Sequence, residues 1–162
     1  LKALKQETLH YKQATPSDSD LYFEWANDEL VRSNSYESNL INPQEHDAWF
    51  NSKLKSGSCF FYLFLNEAEE PVGQVRIDKM HGEEGYNIGI SIDKEHRGRS
   101  YSTTMLEMAT TDFLHNFKSA TIVAFIKTEN QVSYKTFKQA GFTNEEIITI
   151  KNSKSYKMYK SL

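Results

Sequence analysis

The run Ala120-Thr121-Ile122-Val123-Ala124-Phe125-Ile126 is almost continuously apolar, so both faces of any strand it forms must be covered. That is the situation of a buried parallel strand in a sheet with helices on both sides. Just before it, Ser100–Asn116 has the helical period, with Met105, Leu106, Ala109 and Phe113 facing inward. Three strand-like runs lie further upstream. Cys59–Asn66 is a short apolar, aromatic-rich run, followed by Val72–Lys79 and Tyr86–Ile92, with turn-like segments between them. In Val72–Lys79 the side chains alternate, and Gln74, Arg76 and Asp78 share one face. Polar groups at alternate positions of a central strand are costly if that face is sealed, so they point to a wet cleft or a solvated face.

The remaining elements follow from start and stop signals. Leu9–Ala14 reads as a short strand. Thr15-Pro16-Ser17 opens a helix carrying Leu21, Tyr22, Trp25 and Ala26. A helical piece covers Leu30–Ser33, Asn34–Asn42 is loop, and Asn42-Pro43 starts a helix that Gly57 ends. Asp93–Arg99 is a polar loop. Asn130–Ala140 is a helix closed by Gly141, and Glu146–Ile150 and Tyr156–Lys160 are the last two strands. The predicted class is α/β (α+β): a mixed, mostly antiparallel central sheet of six or seven strands flanked by helices.

The 162 residues suit one domain over 1–162. Aromatics at 13% supply a core, and a net charge of −3 without a basic block gives no support for nucleic-acid binding. No apolar stretch reaches the length of a membrane span. No secretory signal is visible, so the expected location is cytoplasmic. The single cysteine, Cys59, lies in an apolar run and reads as a small buried hydrophobe, and no metal is expected.

The segment Ile88-Gly89-Ile90-Ser91-Ile92-Asp93-Lys94-Glu95-His96-Arg97-Gly98-Arg99-Ser100-Tyr101-Ser102 takes a strand through a loop of small and basic residues straight into a helix. Helix N-termini offer free N–H groups and partial positive charge, and small residues let those groups approach a pyrophosphate. Spacing alone reads equally well as a solvated loop with two exposed arginines.

Here the chain resembles the GNAT acetyltransferases, whose acetyl-CoA signature is Arg/Gln-x-x-Gly-x-Gly/Ala at the start of the helix after the fourth strand. The matching residues are Arg97-Gly98-Arg99-Ser100-Tyr101-Ser102, with serine in place of both signature glycines. Since glycine alone readily takes positive φ, the loop is expected to keep negative φ at Ser100 and Ser102 and to bind CoA more weakly. The helix Glu129–Phe142 resembles the family's Asn-x-x-Ala/Ser-x-x-x-Tyr-x-x-x-Gly-Phe segment. Asn130 also reads as a plain helix cap. The resemblance implies acetyl-CoA as acetyl donor, with Ile90, Ile92, Arg97, Gly98, Arg99, Ser100, Tyr101, Ser102, Asn130, Ser133 and Phe137 beside it. It also implies direct attack by a primary amine, with a main-chain N–H at Gly89 or Ile90 holding the oxyanion.

The family's usual acid, a tyrosine, aligns with Phe137, and Tyr134 one turn earlier is the substitute candidate. Asp78, Glu83, Glu84 and His46 are the candidate bases; Glu83 and Glu84 also read as loop charges, and His46 as a structural histidine. For the acceptor, Trp25, Asn27 and Arg32, then Glu45 and His46, are similar to motifs of enzymes that acetylate nucleotide-linked amino sugars. That adds Trp49, Gln74 and Arg76 as further lining. Trp25 and Trp49 read equally as core. The implied partner is a small-molecule amine, with no nucleic acid and no membrane, and a homodimer is left open. A protein N-terminal acetyltransferase and a CoA-binding module without turnover are the alternatives.

Overall fold

A computed structural model of the chain describes residues 7–162, the side chain of Asn144 excepted. The elements are β1 His10–Gln13, α1 Ser19–Ala26, α2 Glu29–Asn34, α3 Pro43–Lys55, β2 Cys59–Leu65, β3 Pro71–Lys79, β4 Tyr86–Ile92, α4 Tyr101–Asn116, β5 Thr121–Lys127, α5 Gln131–Gln139, β6 Thr143–Ile150 and β7 Ser153–Ser161. The strands form one sheet in the order β1-β2-β3-β4-β5-β7-β6. Only β4 and β5 run parallel; every other pairing is antiparallel. This is the mixed, mostly antiparallel sheet that the hydrophobic pattern predicts. The last two strands are longer than expected. The hairpin joining them turns at Lys151 and Asn152, both at positive φ, as the right-handed twist of a two-residue turn requires.

The two faces of β2 explain its unbroken apolar run. Tyr62 and Phe64 join the core under α4 and α5, with Met105, Leu106, Phe113, Phe137 and Met158. Cys59, Phe61 and Leu63 point the other way and pack with Tyr22, Trp25 and Phe50 from α1 and α3. Burial pushes the Cys59 thiol up to about 12, so it is an inert core group. On β3, Val75 and Ile77 are fully buried while Gln74, Arg76 and Asp78 are only partly so. A Cβ at Gly73 would stand 2.5 Å from the Ser91 carbonyl and 3.0 Å from the Met105 methyl, so glycine there lets β3, β4 and α4 close together.

The helices on the second face are fixed by their starts. Asp28 accepts hydrogen bonds from the Leu30 and Val31 amides, and Asn42 from those of Gln44 and Glu45. Such caps satisfy amides that a first helical turn leaves free, at about 1 kcal/mol each. They set α2 and α3 over the polar stripe of β3.

Candidate active site

The parallel ladder joins β4 to β5 only at Tyr86–Ile122 and Asn87–Val123. Beyond that point β4 stays paired with β3, and β5 with β7. The two strands therefore part from Ile88 onward. Main-chain groups on that side of β4 lose their ladder partners, and a gap opens in the middle of the sheet.

Two clefts meet at this gap. The first, of about 420 Å³, runs from β4 to the loop 97–102 and across to β5 and α5. Its wall is the segment Arg97–Ser102. Gly98 has φ +77 and Ser100 φ +60, ψ +27, the left-handed region. This corrects the expectation of negative φ at Ser100: the serine adopts the conformation of the glycine it replaces. No main-chain amide from Ser100 to Thr103 finds a main-chain acceptor among the described residues, and the Ser100 side chain makes no capping bond. These donors stand at the positive end of the 16-residue helix α4. The site therefore fits a polyphosphate, with amides rather than side-chain charge as the main donors.

Arg97 and Arg99 divide in role. Arg97 lines the cleft, but its guanidinium donates to Asp28 at 2.6 Å. The same Asp28 caps α2, and these bonds hold its carboxyl below the usual range against the opposing effect of burial. Arg97 thus ties the phosphate-type loop to α2. Arg99 is exposed. Tyr101 contributes main chain to the cleft while its ring joins the core and its hydroxyl donates to Glu7. Asn130 caps α5 by accepting from the Ser133 amide at 3.2 Å, and Asn130, Ser133 and the buried Phe137 all line the cleft, as do Ile90, Ile92 and Ser102.

The second cleft, of about 430 Å³, lies between α1–α3 and the polar stripe of β3 and β4, and shares the α2 wall with the first. Trp25, Arg32, His46, Trp49, Gln74 and Arg76 all line it. Trp25 is buried and its indole N–H donates to Asp93 at 2.9 Å, fixing the start of the 93–100 loop. Trp49 is 37% exposed and lies under the Arg76 guanidinium, 5.0 Å from ring centroid to Cζ. Gln74 donates to Ser91 at 3.0 Å. Arg32 donates to the Glu37 and Asn39 carbonyls, shaping the loop after α2. Tyr22 and Ser91 also line this cleft and were missed from sequence. Ser91 was accessible from β-register, since it faces Gln74 across the ladder.

Three expected site residues lie elsewhere. Asn27 lines neither cleft: its side chain brackets the main chain of Ile41, donating at 3.0 Å and accepting at 2.7 Å. Asp78 accepts from Lys53 at 2.6 Å, away from both clefts, so its carboxylate is taken up by an ion pair. Tyr134 stacks on Tyr156 with ring centroids 4.1 Å apart and donates to Glu145 at 2.5 Å. That bond raises its pKa, and the hydroxyl is turned from the first cleft. Of the loop acids, Glu83 pairs with Lys157 at 2.9 Å.

His46 is 4% exposed and its Nε2 lies 3.1 Å from the Ser19 carbonyl, so Nε2 carries the proton of a neutral ring. Burial holds its pKa below 6.5, outweighing the Ser19 carbonyl. The unfolded chain then binds the extra proton more readily, and the stability His46 contributes is full above about pH 6.5 and declines as pH falls below it. The slope is at most about 1.4 kcal/mol per pH unit. Urea midpoints of the native chain and His46→Gln should converge as pH is lowered from about 7.5 to about 5.5; a gap independent of pH would show that His46 is not held neutral.

The fold thus splits its central sheet and brings two clefts together at the freed edge of β4. Residues 8–143 match the acetyltransferase (GNAT) domain family, and the chain belongs to that family. It is an acyltransferase that uses acetyl-CoA as donor. Among solved structures, the spermidine N-acetyltransferase of Vibrio cholerae in complex with CoA and spermine is similar at TM-score 0.82 and 16% identity, over 97% of this chain and 96% of that one. A putative acetyltransferase of Acinetobacter baylyi gives 0.82 at 15% identity, over 96% and 94%. An aminoglycoside acetyltransferase in complex with coenzyme A gives 0.78 at 15%, over 95% of each. No curated protein matches the chain by sequence. No described helix is long and apolar enough to cross a membrane.

Proposed function

We propose that the first cleft holds acetyl-CoA and the second a small primary amine, and that the acetyl group passes between them over Gly89–Ser91. One observation carries this reading. Val31, Ser35, Gly89, Ile90 and Ser91 line both clefts, so the two spaces join where β4 has lost its parallel partner. Acetyl-CoA supplies an activated thioester carbonyl. The left-handed turn at Ser100 and the free amides of 100–103 anchor the diphosphate, and Asn130 and Ser133 flank the tail.

The amine nitrogen attacks the thioester carbon from the acceptor side. The charge that builds on the carbonyl oxygen accepts a hydrogen bond from the unpaired edge of β4 at Ile90, and donors so placed are worth about 10²–10³ in rate. The C–S bond then breaks, and the proton of the attacking ammonium leaves to water or to the departing thiolate. Tyr134 takes no part. Neutral His46, buried in the acceptor wall, shapes that wall. For the acceptor, the finer reading is a nucleotide-linked amino sugar: the half-open Trp49 face suits a ring, and Arg32 and Arg76 suit its phosphates.

The test is calorimetry with acetyl-CoA followed by thiol release over an amine panel. Tight binding with amine-dependent release is expected. Binding without release on any amine would favour a CoA-binding module, and release on peptides alone would favour a protein N-terminal acetyltransferase.

A further inference from the structure

The second cleft contains polar atoms that the protein itself leaves unpartnered. Tyr22 Oη, Arg32 Nε, Gln74 Oε1 and Arg76 Nε are sealed from solvent and make no hydrogen bond among the described residues. All four residues line this one cleft. Tyr22 is itself only 5% exposed. Buried polar groups without partners cost about 1–3 kcal/mol each, and more when charged; Gln74 Oε1 can only accept while the other three can donate, so the cluster marks a cleft whose bonding is completed by a ligand or ordered water as these side chains turn toward it.

The charge of the cleft narrows the ligand. Arg76 forms no ion pair with any described carboxylate. Its Cζ stands 5.0 Å from the Trp49 ring centroid, and a Cβ at Gly89 would lie 3.8 Å from its Nη2. Arg32 spends its terminal nitrogens on the 35–39 loop, and its buried Nε is left without a partner. Among the described residues of the lining, the only carboxylate is Glu45, which is exposed. A guanidinium held against an indole and paired with no described carboxylate is a ready partner for a carboxylate or a phosphate. A polycation would meet like charge at the same point.

Building on the two-cleft reading above, we propose that the acceptor amine carries an anionic group, carboxylate or phosphate, received by Arg76 with Arg32 beside it, and that polycationic amines are poor acceptors. This separates the chain's acceptor chemistry from that of the spermidine enzyme whose fold it shares.

Matched acceptors isolate the anion: glucosamine against glucosamine 6-phosphate, tyramine against tyrosine, with spermidine as the polycation. At saturating acetyl-CoA, the anionic member of at least one pair should show kcat/KM about 10- to 100-fold above its neutral twin. Phosphate or carboxylate is read from which pair responds. Arg76→Gln should remove that advantage mainly through KM, and Arg76→Lys should restore part of it. Glucose 6-phosphate, which has no amine, gives a readout without turnover: calorimetry should show it binding the CoA complex of the native chain and not that of Arg76→Gln, while glucose binds neither. Equal or better turnover of spermidine or of the neutral twins, or no binding of glucose 6-phosphate in the absence of any anion preference, overturns the proposal while leaving the transferase reading intact. Failure to bind CoA at all would instead strike the transferase reading.

Discussion

Phe50→Ala should lower the unfolding free energy by about 3–5 kcal/mol, a large share of the 5–15 kcal/mol typical of a domain this size. Phe50 is fully buried at the centre of the smaller core. Its ring lies 4.9 Å from Tyr22 and 5.2 Å from Phe61, and His46 stacks on it at 5.8 Å. The side chain thus joins α3 to α1 and to β2, and no neighbouring group is free to fill the space it leaves. Two of those contacts, Tyr22 and His46, are walls of the second cleft, proposed above to hold the amine. The first cleft rests on the other core, under α4 and α5, and does not touch Phe50. In urea titrations the midpoint should fall sharply. In the fraction still folded, KM for the amine should rise while CoA affinity holds. A loss of stability below about 1 kcal/mol would mean that the smaller core collapses around the gap, and that the cleft walls are not set by this ring.

How much of this was legible beforehand depends on whether the information is local. The strands under α4 were readable because burial on one face leaves a two-residue signature in the sequence, as in Val75 and Ile77 against Gln74 and Arg76. The same signature wrongly carried Asp78 into the site. Two residues along a strand is about 6.6 Å, enough to move it from the cleft to the end of α3, where Lys53 meets it. Tyr134 failed for a similar reason. Asn130, Ser133 and Phe137 share a helical face, and Tyr134 lies on its edge, about 100° round from Ser133, with its hydroxyl turned toward Lys138 and Glu145. Asn27 has the spacing of a ligand-binding asparagine, but spacing does not distinguish it from one that brackets a loop. The meeting of the two clefts depends on where β4 and β5 stop pairing, which the chain signals only weakly. Gly89, a glycine inside a strand, and the family resemblance point to the region, but Ile88, Ile90 and Ile92 continue as good strand formers after the ladder ends.

The second large effect is expected at Ser100. An L-residue in the left-handed region carries about 1–2 kcal/mol of strain, and a β-branched one tolerates it least. Ser100→Gly removes the strain and should leave CoA affinity equal to that of the native chain or a few-fold tighter. Ser100→Val should push the turn toward extended backbone and swing the amides of 98–102 away from the diphosphate. Apparent affinity falls in proportion to the fraction of molecules that keep the binding geometry, so a turn correctly formed about a tenth of the time binds about tenfold more weakly. The order Gly, Ser, Val in calorimetric affinity, with the acceptor KM unchanged, is therefore the signature of recognition by main-chain amides. The competing view is that the serine hydroxyl itself grips the phosphate, taking over from the lost signature glycine by side-chain chemistry. It predicts the reverse at the first step, with Ser100→Gly losing about tenfold for one hydrogen bond to a charged group. That result would shift the anchor of the cofactor from backbone to side chain.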